Sequence, residues 1–439
     1  MKVGHDWRKR ARIELSDWQL WTGRVVVMAL ALLAGLSVVG FTWLCERALD
    51  LFEHARQLAW WFPLLWTPVC TAAIVWLTRR YAPGAAGSGI PQVMAALEPA
   101  LPSEKRGLFV SLRLSLAKAL LTAGGLLAGL SLGREGPSVQ IAAGVMLQAR
   151  RLLPKRSAVT VHGLLVAGGA AGIAAAFNTP LAGVMFAIEE LARAPEQRNS
   201  GLIITAIVLG GLVAVSVHGN ATYFGVVHSG AVGLALLLPG LAVALCTGIA
   251  GGLFSRLLIA SLGGQGHDWM SRLRARRPVV FGAVCGAVVA VIGVVTAGTT
   301  FGSGYEPTRA MVEGVTTMPA LYALFKFIAT WLSAWAGVPA GIFAPSLAIG
   351  AALGNDVALV FFHAQVPALI ALGMVGFLAA ATQAPLTAFI IVMEMVEGHS
   401  MVLSLMACAL VASMLARVIS PPLYPSLARM QLARAEPRS

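Results

Sequence analysis

LLAGLSLGREGPSVQ, residues 126–140, sets a charged pair, Arg134 and Glu135, between Gly133 and Gly136, with Pro137 following. No other charge occurs back to Lys118 or forward to Arg150. Charges at membrane depth are costly and face protein or a wet cavity rather than lipid. Glycine and proline in succession end one helix and open another, with Pro137 in the first turn of the new one. The start of a helix offers unpaired N–H groups and the positive end of its dipole, which together favour an anion. The stretch therefore reads as an anion site within a membrane, beside a carboxylate that can also carry a proton.

The whole chain supports a membrane setting. It is 58% hydrophobic and only 12% charged, with mean hydropathy +0.79, against roughly 25% charged for a soluble domain. Apolar spans cover residues 25–45, 60–78, 202–217, 232–254, 279–297, 366–393 and 401–416, several of them near the roughly 20 residues a crossing helix needs. Around residues 85–190 and 335–355, glycine and proline interrupt the apolar sequence. Backbone broken at membrane depth must be buried in protein or line a cavity, so a transporter or channel is expected rather than a bundle of straight helices. We expect an N-terminal segment 1–24, one transport domain 25–430 and a tail 431–439, with repeats at about 60–217 and 232–420.

The net charge of +13 sits in short connectors: Lys2, Arg8–Arg12, Arg79–Arg80, Lys105–Arg106, Arg150–Arg156, Arg272–Arg277 and the tail from Arg429. By the positive-inside rule these loops and both termini are expected in the cytoplasm. Such connectors beside acidic lipid explain the charge without nucleic acid. Five cysteines lie scattered through apolar spans with no metal or disulfide spacing. The polar, charged start argues against a cleaved signal peptide, and the 19 residues after Ser420 leave no room for a soluble domain.

The chain also repeats itself. Lys118 precedes Gly133 by 15 residues, and Lys326 precedes Gly341 by 15. GREGPSVQIAA (133–143) aligns with GIFAPSLAIGA (341–351), and AAAFNTPLAGVMFAIEE (174–190) with AAATQAPLTAFIIVMEM (379–395), at offsets of 208 and 205. The second alignment pairs Glu189 with Glu394. Repeats with matching helix breaks place a transport site at their interface near the midplane, where two helix N-termini converge. Sequence alone leaves open whether the repeats run parallel or inverted.

GSGIPQV (87–93), GREGPSVQ (133–140), GIFAPSLAIGA (341–351) and Tyr424 in PPLYPSL resemble the CLC family of chloride channels and chloride/proton antiporters, over nearly the whole chain. The resemblance implies an all-α integral membrane fold of two inverted repeats, with broken helices meeting at a midplane anion site. It also implies a homodimer with one pathway per subunit. Carried over by position, Ser88 and Tyr424 would supply hydroxyl donors to chloride, and Ile342 and Phe343 would supply backbone N–H groups. Glu135 would be the outer gating carboxylate and Glu190 the inner proton acceptor, with Arg134, Gly136 and Lys118 in support. The expected partners are chloride, protons and membrane lipid, with no cofactor, no metal and no nucleic acid. A bacterial inner membrane is the expected location, since the nucleotide-binding tail of many eukaryotic members is missing. Ser88 matches chloride-preferring members, whereas nitrate-preferring plant relatives carry proline there and fluoride exporters depart from the GREGP and tyrosine patterns.

The residue chemistry is consistent with that reading. A transported halide needs several weak donors, while a contacting Lys or Arg would hold it too tightly. A charged Glu135 can occupy an anion position itself and gives it up when protonated, so chloride entry and protonation favour each other. A proton arriving from inside needs a second ionisable group off the chloride path, which suits Glu190 and tilts the reading toward antiport over a passive channel. Plainer roles stay open. Arg134 could tie down loop carbonyls. Glu189 reads as structural, and Glu190 could be a helix-end charge near Arg193. Lys118 and Lys326 could pair with carboxylates or carbonyls, Tyr424 could anchor at the interface, and His162 could be a packing group. GSG at 87–89 and 302–304 could suggest an intramembrane serine hydrolase, but no histidine is patterned with either serine.

Overall fold

The computed structural model describes residues 18–154, 159–192, 200–219, 222–227, 236–264, 268–316, 318–361 and 365–435. The basic segment before Trp18, Lys155–Arg156, Arg193 and the last four residues of the tail lie outside them. Every regular element among the described residues is helical, apart from two isolated bridges. Among the described residues, seven helices are long and apolar enough to cross a membrane.

The chain opens with α1 (Trp18–Leu58) and α2 (Phe62–Tyr81), followed by the short α3 (Ile90–Leu97), α4 (Leu112–Leu127), α5 (Glu135–Met146), α6 (Val161–Phe177) and α7 (Pro180–Phe186). A π-helical turn, Ala187–Ala192, leads towards α8 (Ser200–His218). The second half comprises α9 (Leu237–Gly263), the small α10 (Trp269–Arg276), α11 (Pro278–Val295), α12 (Tyr305–Val312), α13 (Tyr322–Trp335), α14 (Phe343–Val360), α15 (Val366–Thr382), α16 (Pro385–Met395), α17 (Val402–Ile419) and α18 (Leu423–Ala435).

Two of the expected spans need correction. The apolar run 25–45 is the middle of a 41-residue helix. Its charged last turns carry the pairs Arg47–Asp50 and Glu53–Arg56 at three-residue spacing, which add a small stabilisation to the helix. The run 366–393 is two helices, not one. Pro385 cannot continue a helix and pushes Ala384 toward extended backbone. Gln383 closes α15 in the left-handed region at φ 61°, and Pro385 opens α16. The first repeat uses the same device: Asn178, at φ 58°, closes α6 and Pro180 opens α7.

The helices α6 and α15 are apolar on all sides and buried almost throughout, as that pattern requires. Small residues let them approach α5 and α14 backbone to backbone. A side chain on Gly373 would strike the Gly350 carbonyl, and one on Gly168 would meet Ala143 and the Ala142 carbonyl. In lipid, such close packing holds helices together without a water-driven term.

Two reciprocal contacts relate the halves. Gly133 and Gly341 form an antiparallel bridge, each donating its N–H to the other's carbonyl at 2.8 Å. The chains therefore run in opposite directions into α5 and α14, whose N-termini meet head to head, so the repeats are inverted. Second, the Glu189 carboxylate accepts the free N–H groups of Leu386 and Thr387 at the start of α16, at 3.1 and 2.7 Å. Glu394 accepts those of Leu181 and Ala182 at the start of α7, at 3.3 and 2.8 Å. Each repeat caps a helix of the other.

Removing either carboxylate orphans two helix N–H groups. Glu189→Ala and Glu394→Ala are each expected to cost about 1–2 kcal/mol, seen as a lower unfolding temperature in detergent. Unchanged melting in both would deny the caps a structural role.

Candidate functional site

The loop before α3 is held by its backbone. Gly89 sits at φ 111°, which only glycine adopts at ease. Gly87 pairs with the second repeat, accepting from Ala340 N–H at 3.0 Å and donating to the Val338 carbonyl at 3.2 Å. The Lys118 ammonium, fully buried, donates to the Ala85 and Gly87 carbonyls at 2.7 and 2.6 Å. Of the two partners left open for Lys118, carbonyls are the ones it finds. Gln92 accepts from Gly89 N–H at 2.9 Å and donates to the Ala86 carbonyl, while Gln140 of α5 donates to the Gly84 and Phe109 carbonyls. With its backbone fixed, the loop presents Ser88, which is buried. It rests on the first turn of α5: a side chain on Gly136 would collide with the Ser88 hydroxyl and carbonyl.

Tyr424 lies in the first turn of α18, which packs on α3. It is fully buried, so it is no interface anchor. Its ring stacks on Phe343 at 6.0 Å between centroids and 18° between planes. Its hydroxyl lies within reach of Ser88 and feels the charges of both Glu135 and Glu190. Phe343 is the first residue of α14 and Ile342 precedes it as the cap; the opening N–H groups of a helix have no acceptor within it. Two neighbouring buried hydroxyls and a helix start thus converge in a buried, donor-rich spot. The two nearest described cations turn away from it: Lys118 to the loop carbonyls and Arg134 to Glu46 and Tyr223. Buried donors go unpaired only at a cost, and a monovalent anion would suit such a spot.

Glu135 closes the spot on one side. It is fully buried in the first turn of α5. One carboxylate oxygen faces Ala344 N–H of α14 at 3.4 Å, and the group lies against the N–H groups of Arg134 and Glu135 itself. The other oxygen has no partner. A side chain on Gly133 would strike this carboxylate and Pro345. Glu135 therefore sits where the N-termini of α5 and α14 meet, a position that favours negative charge.

The Arg134 guanidinium does not hold loop carbonyls, as the sequence reading had it. It pairs with Glu46 of α1 at 2.7 Å and donates to the Tyr223 hydroxyl at 3.2 Å. A carboxylate and a phenol on distant segments outcompete neutral carbonyls because a charge-assisted bond is stronger. Nothing in the local sequence signals either partner. Arg134, Glu46 and Tyr223 line a cavity of about 750 Å³ with Tyr305 and Glu306, so Arg134 separates Glu135 from that vestibule.

Glu189 and Glu190 fall on the π-helical turn rather than an α-helix; such turns recur at functional sites. Glu189 turns to α16 as its cap, while Glu190 is buried near Tyr424. The structure thus brings together Ser88, Tyr424, Phe343, Gly136 and Glu135, puts Glu190 on the Tyr424 side, and places Lys118 behind the loop. The brace by Gln92 escaped the sequence reading, although a glutamine at the third position of a helix is a capping-box signal.

A family model described as "Voltage gated chloride channel" matches residues 69–417. Among solved structures, a slow cyanobacterial Cl⁻/H⁺ antiporter is similar at 26% identity and TM-score 0.81, covering 94% of this chain and 98% of that one. A CLC-type fluoride/proton antiporter is similar at 21% identity and TM-score 0.76 over the same shares. A eukaryotic CLC transporter is similar at 22% identity and TM-score 0.75, covering 94% of this chain and 74% of that one; these last two speak to the fold alone.

Tyr424→Phe should keep the ring on Phe343 and remove one donor, weakening halide binding by about 0.5–1.5 kcal/mol in isothermal titration calorimetry. Gly136→Ala should abolish the binding heat by displacing Ser88. Normal halide affinity in both would move the anion elsewhere.

Proposed function

The chain belongs to the voltage gated chloride channel (CLC) family, a family of membrane anion transporters and channels rather than enzymes, and on that premise we propose that it exchanges chloride for protons. The serine-hydrolase reading of the GSG motifs falls with the family. The observation that carries the proposal is the Glu135 carboxylate lodged at two helix N-termini, beside the neighbouring buried hydroxyls of Ser88 and Tyr424.

A chloride ion takes donors from Ser88, Tyr424 and the N–H groups at Ile342 and Phe343. Charged Glu135 competes for the neighbouring anion position at the starts of α5 and α14. Once protonated, it no longer gains from the dipoles and N–H groups, and it yields the position to chloride. Proton uptake and chloride passage are thereby linked at one residue. Glu190 relays protons from the opposite side, displaced from the anion path by the turn of helix it occupies. Arg134 keeps its charge on Glu46 and Tyr223 and does not trap the ion. Kept Ser88, GREGP and Tyr424 favour chloride over nitrate or fluoride.

The rest of the proposal concerns surroundings. The face bearing Arg79–Arg80, Arg272–Arg277, Arg429 and Arg434 is the cytoplasmic one by the positive-inside rule. The vestibule with Glu46, Asp50, Glu53 and Glu306 then opens outward. The protein is a homodimer in a bacterial inner membrane, one pathway per subunit. A passive chloride channel gated by Glu135 is the second reading, favoured by the same site if Glu190 is only structural.

Proteoliposomes under a chloride gradient are the test. Uphill proton movement, lost in Glu190→Gln while chloride still flows, is expected for exchange. Glu135→Gln should leave chloride flux but remove proton coupling and pH sensitivity. Chloride flux without proton movement in the unaltered protein would make it a channel, and coupling retained in Glu135→Gln would remove that residue from the gate.

A further inference from the structure

The face opposite the vestibule carries a cationic cluster that the transport reading does not use. Arg274 of α10 donates to the Ser261 carbonyl at 3.0 Å, and Arg434 of α18 donates to the Leu262 carbonyl at 2.8 Å, both at the end of α9. Arg79, in the last turn of α2, is near enough for its charge to act on Arg274. Burial first, then the positive charges of Arg434 and Arg79, push the Arg274 guanidinium down to about 10.

No ion pair among the described residues includes any of the three; the pairs there are join Arg47, Arg56, Arg134 and Arg309 to carboxylates elsewhere. The nearby Asp268 is engaged at the start of α10. It accepts from Ser271 N–H and hydroxyl at 3.0 and 2.6 Å, which holds its carboxyl below the usual carboxylate range. The negative ends of α2 and α9 offset part of the crowding. Each guanidinium still has five N–H groups in a planar fork, and one carbonyl uses one of them.

The helix beside the cluster is built for an interface. Met270 and Leu273 of α10 pack on the core formed with α2 and α11, while Trp269 is 63% exposed beside the exposed Arg272 and Arg276. A short helix with an inward apolar face, an outward tryptophan and basic residues lies at the level of lipid headgroups. We propose that Arg79, Arg274 and Arg434 form a binding site for the phosphate of an anionic phospholipid in the leaflet on this face, with Trp269 seated at its glycerol and upper acyl region. Guanidinium forks match phosphate oxygens in pairs, and basic pockets between membrane helices are suited to such headgroups.

The test is native mass spectrometry of the full chain, released from detergent containing equal phosphatidylglycerol and phosphatidylcholine. Preferential retention of phosphatidylglycerol is expected. Arg79→Gln with Arg434→Gln should lower that retention about tenfold, while Arg272→Gln with Arg276→Gln, the same charge removed from the exposed face, should change it less than about twofold. Thermal unfolding in vesicles of phosphatidylcholine with and without phosphatidylglycerol should show a lipid-dependent rise in the unaltered protein that the first pair loses, which separates lost binding from lost folding. Equal losses from both pairs, no preference for phosphatidylglycerol, or full displacement by inorganic phosphate would overturn the site.

Discussion

Two backbone hydrogen bonds, exchanged between Gly133 and Gly341, set the geometry on which the rest depends. They fix the starts of α5 and α14 head to head inside a medium where an unpaired N–H costs several kcal/mol. Two positive helix ends facing one another repel, and their opening N–H groups lack acceptors. The arrangement is satisfied only when something negative sits between them. Glu135 supplies that charge from within the chain, and an anion can supply it from outside. On the proposed exchange, competition between the two is a property of the backbone, with Ser88 and Tyr424 beside it.

Buried charge elsewhere serves to hold that backbone. Lys118 ties down the loop at 85–87, and Lys326 ties down the loop at 300–302 through the Thr300 and Gly302 carbonyls at 3.0 and 2.9 Å. The two lysines occupy equivalent places in the repeats and anchor the two GSG loops. A buried ammonium without partners would be severely unstable, so each is bound to its loop and each loop to its lysine. The same economy links Glu189 and Glu394, which cap each other's repeat. Four charged side chains at membrane depth are thereby explained by backbone groups rather than by ion pairs.

The two faces of the molecule differ in how charge is handled. Around the vestibule, acidic residues and arginines are paired side chain to side chain, as in Arg134 with Glu46. On the opposite face, Arg274 and Arg434 lean on helix ends and keep most of their donors free.

Sequence alone determined the membrane class, the broken helices and the repeat. Apolar composition, glycine and proline positions and the Lys–Gly–Pro–Ser spacing are local properties that survive without a fold. The same reading singled out Glu135 because a charge within a long apolar run has no cheap structural reason, and the fold buries it where two helix N-termini meet. Tertiary structure decided the rest. The inverted sense of the repeats follows from the antiparallel bridge, which no spacing encodes. The split of residues 366–393 needed Pro385 to be read against Pro180, and the partners of Arg134 lie on segments far along the chain. Ser88 and Tyr424 are 336 residues apart and lie side by side because α18 packs on α3. Contacts between remote segments depend on how whole helices stack, and that is fixed by the sum of packing, not by any one stretch.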